Sequence, residues 1–256
     1  MKRGFKEIDD FVKLNRGKLI ILKSKPSIAL STFALNIATN VALKTNSSVG
    51  IFSLDMSKEQ LVNRIISCET MIDIKKVRTA KLEDEDWKKL ARTMKYLLEA
   101  NIYVDDTIKI SIEEIKNKCR KLKLEKNINL IIIDYLQLVR KNDEYNSNSK
   151  KEILEICKIF KILANELNIP IIVLSKPSTT IKQKMEHKSS SLDLCKSDNL
   201  EENADIVMCL YKLNNYKNTD LKNIVELNIL KNNNSKIKKI YISYIQEYCK
   251  FIDFKN

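Results

Sequence analysis

Short apolar runs alternate with longer amphipathic segments along this sequence. The clearest runs are residues 18–23 (KLIILK), 49–54 (VGIFSL), 129–134 (NLIIID) and 170–175 (PIIVLS). Apolar runs of this length are typical of strands that are buried on both faces of a parallel sheet. Because the segments between them have helical periodicity, the sequence predicts an α/β fold with a mostly parallel central sheet flanked by helices.

The segments between the runs carry explicit signals for helices. Ser57 is followed three residues later by Gln60, and Ser111 by Glu114, which is the capping-box pattern of a helix N-terminus. We predict helices over residues 31–44, 57–71, 83–98, 111–125 and 149–167. Further strands are predicted over residues 101–104 and 205–211, and residues 223–230 and 238–244 alternate as in a terminal β-hairpin.

The composition narrows the possible partners only weakly. The formal net charge is +13, which suits a polyanion such as nucleic acid. An AT-rich genome would give the same abundance of Lys, Asn and Ile, however, and seven of the basic residues are arginine, none after Arg140. The six cysteines form no CxxC pair and there is one histidine, so we do not expect a zinc site.

The apolar runs are also too short for a membrane span. None approaches the roughly 20 apolar residues that a transmembrane helix needs. The first residues, MKRGFKEIDDF, lack the apolar stretch of a signal peptide. We therefore expect a cytoplasmic protein that makes no membrane contact.

Several strings occur in an order that resembles the motor domain of the DnaB-type replicative DNA helicases. They are GKLIILKSKPSIALSTFALNIATNVA, IFSLDMSKEQLVNRI, NLIIIDYLQLV, ILEICKIFKILANELNIPIIVLSK and LEENADIVMCLY. The resemblance covers about residues 4 to 250 and implies one RecA-like domain over residues 1–256. It also implies ATP and magnesium as cofactors. The N-terminal helical domain of that family has no counterpart in this sequence.

The stretch that matches the family's phosphate-binding loop departs from the family pattern. Such a loop needs glycine for close backbone approach and a lysine for the β- and γ-phosphates. Here Ala29 stands at the final glycine and Leu30 at the invariant lysine, while Ser31 keeps a hydroxyl at the magnesium position and Ser27 lies in the same loop. Either the loop binds no ATP tightly, or Lys23 or Lys25 reaches round to the phosphates from before the turn.

The remaining nucleotide-site positions are altered as well. By resemblance, Asp134 is the Walker B aspartate that holds magnesium, and Asp55 stands where the family has its catalytic glutamate. Lys176 replaces the glutamine that senses the γ-phosphate. Lys231 keeps the family's lysine, but Asn233 replaces the arginine finger, whose loss lowers rates by about 10³–10⁵ in other systems.

Two polar segments, about residues 141–152 and 186–200, match the family's DNA-tracking loops. Lysines in such loops would pair with phosphates without reading sequence. Acidic residues lie between these lysines. Lysine-rich loops are also common on protein surfaces that contact only solvent. The candidate DNA contacts are Lys141, Lys150, Lys151, Lys188 and Lys196.

Three hypotheses follow from these residues. The first is a DnaB-like domain that acts in DNA replication without hydrolysing ATP, as a regulator or structural partner of a replicative helicase, of other replication proteins or of single-stranded DNA, with no cofactor. The second is an atypical but active helicase that uses ATP and magnesium. The third, a sequence drifting without function, is disfavoured because the apolar strand pattern is intact. The sequence does not fix the oligomeric state.

Overall fold

The computed structural model describes residues 4–12, 14–24, 29–141, 150–176, 200–212, 223–232 and 237–254. In these residues a single sheet has nine strands in the order β3-β2-β4-β5-β1-β6-β7-β8-β9. The strands are β1 (Leu19–Ser24), β2 (Val49–Ser53), β3 (Ile102–Asp105), β4 (Leu130–Asp134), β5 (Ile171–Ser175), β6 (Ile206–Lys212), β7 (Ile224–Asn232), β8 (Lys238–Ile245) and β9 (Lys250–Asp253).

Helices connect the parallel strands and cover both faces of the sheet. They are α1 (Lys6–Phe11), α2 (Leu30–Thr45), α3 (Lys58–Thr70), α4 (Ile74–Thr79), α5 (Asp84–Glu99), α6 (Ile112–Lys126) and α7 (Lys150–Leu167). Short 3₁₀ turns lie at Leu136–Leu138, Leu200–Glu202 and Gln246–Tyr248. The α/β fold predicted from the sequence is confirmed by this arrangement.

Strand β1 shows how the two layers are divided. Ile20 and Leu22 belong to the apolar cluster that contains α2. Leu19 and Ile21 belong to the cluster that contains α6 and α7. Because successive side chains of a strand point to opposite faces, a strand buried on both sides is mostly apolar, as Leu19 to Leu22 are here.

The carboxyl-terminal part of the sheet is larger than the predicted hairpin. Strands β6, β7, β8 and β9 form a continuous antiparallel run beside the parallel strands. The sequence did not reveal α1, α4 or β9, which have six, six and four residues. Elements this short show too little periodicity to be recognised from pattern alone.

Local signals placed the longer helices accurately. Ser57 and Ser111 both form capping boxes, with Gln60 and Glu114 respectively, at the starts of α3 and α6. The side-chain oxygen of each serine accepts a hydrogen bond from a backbone N–H that has no partner within the helix. Among the described residues, no helix is long and apolar enough to cross a membrane.

Candidate nucleotide site

The parallel register brings the candidate nucleotide-site residues to one edge of the sheet. Ser53 at the end of β2 pairs with Asp134 at the end of β4. Lys23 on β1 pairs with Ser175 on β5. Since Asp55 lies two residues after β2 and Lys176 directly after β5, both lie with Asp134 at the edge of the sheet where open α/β sheets place their ligands.

Asp134 is a buried carboxylate that contacts the first turn of α2. The hydroxyl of Ser31 donates a hydrogen bond to Asp134 Oδ1 across 3.1 Å. Only 4% of Asp134 is exposed. Burial raises the pKa of its carboxyl group to about 6, although the Ser31 hydrogen bond and the charges of Lys176 and Arg64 act in the opposite direction. The two expected magnesium ligands, Ser31 and Asp134, are therefore neighbours.

Lys176 lies beside the second carboxylate of the site. Its ammonium group is 2.8 Å from Asp55 Oδ2 and 3.6 Å from the centre of the Tyr135 ring. The ion pair is half exposed, and the contact with the ring has cation–π geometry. The structure places Lys176 and Asp55, which the resemblance assigned to one site, in direct contact, and the sequence did not indicate that they bind each other.

Gln137 fixes the backbone that carries Lys176, a role that sequence reasoning missed. Its side-chain nitrogen donates to the carbonyl oxygen of Lys176 at 2.8 Å and to the hydroxyl of Ser175 at 2.9 Å. Its side-chain oxygen accepts the Lys176 N–H at 3.3 Å. The only available signal was the IDYLQL string, which places a glutamine three residues after Asp134.

Leu30 lies in the hydrophobic core. It is the first residue of α2 and only 4% of it is exposed. It belongs to the same apolar cluster as Leu22 and Met208. Ala29, which precedes it, makes no side-chain cap of α2. Leucine at this position is thus used for packing, and Ser27 and Lys25 lie outside the described residues.

Lys23 does not lie on the face of the sheet that carries α2. It alternates with Leu22 on β1, so its side chain lies on the side of α7, and it is 5% exposed. Its positive charge acts on the buried thiol of Cys157 in α7, where it opposes the strong rise in the thiol's pKa that burial causes. This placement disfavours Lys23 as a substitute for the missing loop lysine.

A second cation, Arg64, stands near the site and was not identified from the sequence. Its guanidinium donates to the hydroxyl of Thr32 at 2.9 Å, next to Ser31. Its charge acts to lower the pKa of Asp134, against the larger effect of burial. A single arginine within an amphipathic helix gives no signal that would separate it from an ordinary surface residue.

Lys231 lies apart from these residues, on the antiparallel strand β7, where it pairs with Val207 of β6. In the family this position faces a neighbouring subunit. Asn233 lies outside the described residues.

The structure describes the side chains of two of the candidate DNA-contacting lysines, Lys141 and Lys151. Lys141 forms an ion pair with Glu155 of α7, which lowers the pKa of Glu155. Lys151 is exposed on the first turn of α7. Lys150 begins that helix, but its side chain, like all of Lys188 and Lys196, lies outside the described residues.

The donor set fits a magnesium nucleotide poorly. Ser31 and Asp134 offer hard oxygen ligands of the kind that magnesium prefers. No group of three or more His, Cys, Asp or Glu residues suited to a metal occurs in the part of the chain that the structure describes. A buried leucine provides no charge for phosphate oxygens, and Asp55 is already bound by Lys176.

Comparison with known proteins identifies the family and the fold of this chain. The family model described as "DnaB-like helicase C terminal domain" matches residues 1–253. The "Replicative DNA helicase DnaB" of Geobacillus stearothermophilus is 41% identical over 254 residues, which are 98% of this chain and 56% of that protein. The "Replicative DNA helicase DnaC" of Bacillus subtilis (strain 168) has the same identity and coverage.

Two solved structures are similar over nearly the whole chain. One, described as a DnaB-like replicative helicase and its interactions with primase, superposes with a TM-score of 0.87 at 29% identity, over 99% of this chain and 62% of that one. The other, described as an ATPase domain, superposes with a TM-score of 0.88 at 29% identity, over 99% and 91%. The chain spans 56% of the length of the two curated relatives named above. It belongs to the family of DnaB-like helicase C-terminal domains and has their RecA-like fold.

Proposed function

We propose that this chain acts in DNA replication as a DnaB-like domain that does not hydrolyse ATP. In this role it is a regulator or structural partner of a replicative helicase or of DNA. The membership of the family supports the link to replication. The altered nucleotide site supports the loss of hydrolysis.

The observation that carries the proposal is the position of Leu30. Triphosphate oxygens need a cation and a set of backbone amide donors. Leu30 stands at the lysine position of the loop and is packed into the apolar core. Its side chain can neither neutralise phosphate nor leave the core without exposing apolar surface.

Two further substitutions support the same conclusion. Asp55 is one methylene shorter than the family's glutamate and is held by Lys176 at 2.8 Å, so it is poorly placed to activate water. Asn233 carries no charge to a neighbouring site, where an arginine finger acts in the family. Each loss alone would slow hydrolysis. Together they affect phosphate binding, the activation of water and the contribution of a neighbouring subunit.

An experiment on the purified chain tests the proposal directly. ATP binding is measured by calorimetry and hydrolysis by phosphate release, each with and without single-stranded DNA. We expect no saturable binding at millimolar ATP and no turnover above that of the Asp134→Ala variant. Turnover that is lost in Asp134→Ala would refute the proposal, because it would arise from this site.

One observation favours the alternative of an atypical but active helicase with ATP and magnesium. Ser31 and Asp134 are retained and hydrogen-bonded at 3.1 Å, so two oxygen groups of the kind that magnesium binds lie side by side. Under this alternative another cation must serve the phosphates. Arg64, which contacts the first turn of α2, is the described cation best placed for this. Loss of ATP binding in Arg64→Gln but not in the control Arg92→Gln would support it.

Contact with single-stranded DNA is a separate part of the proposal. It is supported by the net charge of +13 and by the exposed Lys151 at the start of α7. The ion pair of Lys141 with Glu155 weakens it, because a lysine that already has a carboxylate partner attracts phosphate less. Docking on a helicase ring needs none of these lysines.

A further inference from the structure

Lys176 follows the carboxyl end of β5 and forms an ion pair with one of the two acidic side chains of the site. Its ammonium group contacts Asp55 at 2.8 Å, and its charge also acts on Asp134. We infer that Lys176 is an internal counter-ion that excludes divalent cations from the Asp55–Asp134 site. The inference goes beyond the proposed function, because it concerns metal binding in the absence of any nucleotide.

The ammonium group is held by two different interactions. One is the ion pair with Asp55, and the other is the contact with the Tyr135 ring, whose centre is 3.6 Å away. A cation at this distance from an aromatic face is attracted by the negative potential of the ring. Tyr135 directly follows Asp134 in the chain, and its ring lies against the ammonium group that pairs with Asp55.

The backbone beneath the ammonium group is held as well. Gln137 binds both the N–H and the carbonyl oxygen of Lys176, at 3.3 and 2.8 Å, and also contacts Ser175. Lys176 is therefore fixed between β5 and the turn after β4. Because the backbone is already ordered, only side-chain freedom is lost when Lys176 binds Asp55.

A divalent cation would have to compete with this arrangement. Magnesium and manganese bind carboxylate and hydroxyl oxygens, and Ser31 with Asp134 presents such a pair. Binding there places two positive charges near the fixed charge of Lys176, while Asp55 remains occupied. Since the site already has its counter-ion, the metal gains less electrostatic energy than in a site without the lysine.

Titration of the nucleotide-free protein with Mn²⁺ tests this inference. Free Mn²⁺ is measured by electron paramagnetic resonance for the natural chain and for Lys176→Gln, which carries the family's residue. We expect Lys176→Gln to bind Mn²⁺ at least about tenfold more tightly, as removal of one nearby charge predicts. Adding Asp134→Asn should abolish the gain.

Two controls separate charge from other effects. Lys176→Arg keeps the charge and should bind Mn²⁺ as weakly as the natural chain. Lys88→Gln removes an exposed ion pair of α5, with Glu85 at 2.7 Å, and should also change nothing. Circular dichroism confirms that each variant is folded.

Three results would overturn the inference: equal Mn²⁺ affinity in the natural chain and Lys176→Gln, a gain that survives Asp134→Asn, or the same gain in Lys176→Arg. None of them depends on ATP turnover. Failure of this inference therefore leaves the proposed function standing, and the reverse also holds.

Discussion

The hydroxyl of Ser31 lies 3.1 Å from Oδ1 of Asp134, so two groups that would share a magnesium ion bind each other. The next residue in the chain toward the loop, Leu30, is buried in the core. By resemblance to the family, Ser31 and Asp134 correspond to magnesium ligands, and the neighbouring position 30 carries no charge. This contrast leads to the first prediction.

Restoring the loop residues should restore nucleotide binding. We expect the double variant Ala29→Gly with Leu30→Lys to bind ATP measurably by calorimetry. Glycine lets the backbone approach the phosphates closely, and lysine supplies a cation for them. The lysine stem can occupy the leucine's apolar space while its charged end reaches the site. The matched control is Ala29→Gly with Leu30→Met, which regains the glycine without a charge and should not bind. Unchanged affinity in the lysine variant would mean that the whole loop has been remodelled.

The DNA-contact hypothesis predicts a gain of affinity when Lys141 is released. Glu155→Gln removes the carboxylate that holds Lys141. If Lys141 then meets phosphate, affinity for single-stranded DNA should rise, and the slope of log affinity against log salt should steepen by about one. Fluorescence anisotropy at several salt concentrations measures both. Glu85→Gln, which breaks the ion pair with Lys88 on α5, is the control and should have no effect.

If the affinity of the natural chain for single-stranded DNA does not change with salt concentration, the net charge no longer supports DNA binding. Equal affinities of the natural chain and Glu155→Gln would exclude Lys141 alone. Lys151, on the first turn of α7, can be tested in the same assay by Lys151→Gln.

The sequence predicted the long elements well because each carried a local signal. The apolar run of residues 130–133 directly precedes Asp134, and the capping boxes at Ser57 and Ser111 set the starts of α3 and α6. Both signals depend on neighbours within a few residues. The six-residue helix α4 has one such signal, Asp73, whose side chain accepts the N–H of Lys75, but only two apolar residues, Ile74 and Val77, to accompany it.

From the sequence we could propose only which residues belong to the candidate site, and not how they contact each other. Resemblance to the family placed Asp55, Asp134 and Lys176 together, and the register of β2, β4 and β5 explains why they meet. The pairing of Lys176 with Asp55 depends on rotamers of residues 121 positions apart. The role of Arg64 depends on the packing of α3 beside α2. Neither of these two contacts produces a pattern that can be recognised in a single sequence.

Asn36 should be a major contributor to stability. Its side-chain nitrogen donates to the carbonyl oxygens of Thr32 and Cys249, both at 3.0 Å, and its oxygen accepts the N–H of Phe251 at 2.7 Å. Asn36 is 3% exposed, so its removal leaves buried backbone groups without partners. We expect Asn36→Ala to lower the free energy of unfolding by about 2–4 kcal/mol.

Urea denaturation followed by circular dichroism measures this loss. Asn63→Ala, on the partly exposed face of α3, is the control and should change the free energy of unfolding by less than about 0.5 kcal/mol. Equal effects of the two substitutions would show that the link between α2 and β9 contributes nothing specific.

Asp205 should make stability depend on pH. Burial alone would raise the pKa of its carboxyl group, but hydrogen bonds from Lys161, from the N–H of Leu19 and from Lys18 outweigh burial and lower the pKa. These bonds are 2.7, 2.8 and 3.0 Å long. They connect the start of β1 to α7 and to the residue before β6.

The direction of the pH effect follows from the lowered pKa. A carboxylate whose pKa is lower in the folded state stabilises the protein above the unfolded pKa of about 3.9, and this contribution is lost as the pH falls through the folded pKa. We expect Asp205→Asn to lower the free energy of unfolding by about 1–3 kcal/mol at pH 7. The difference from the natural chain should shrink below about pH 4. Urea denaturation across pH 3 to 8 measures it, with the exposed Asp10→Asn as control. A difference that stays constant down to the lowest pH would mean that shape, and not charge, makes Asp205 stabilising.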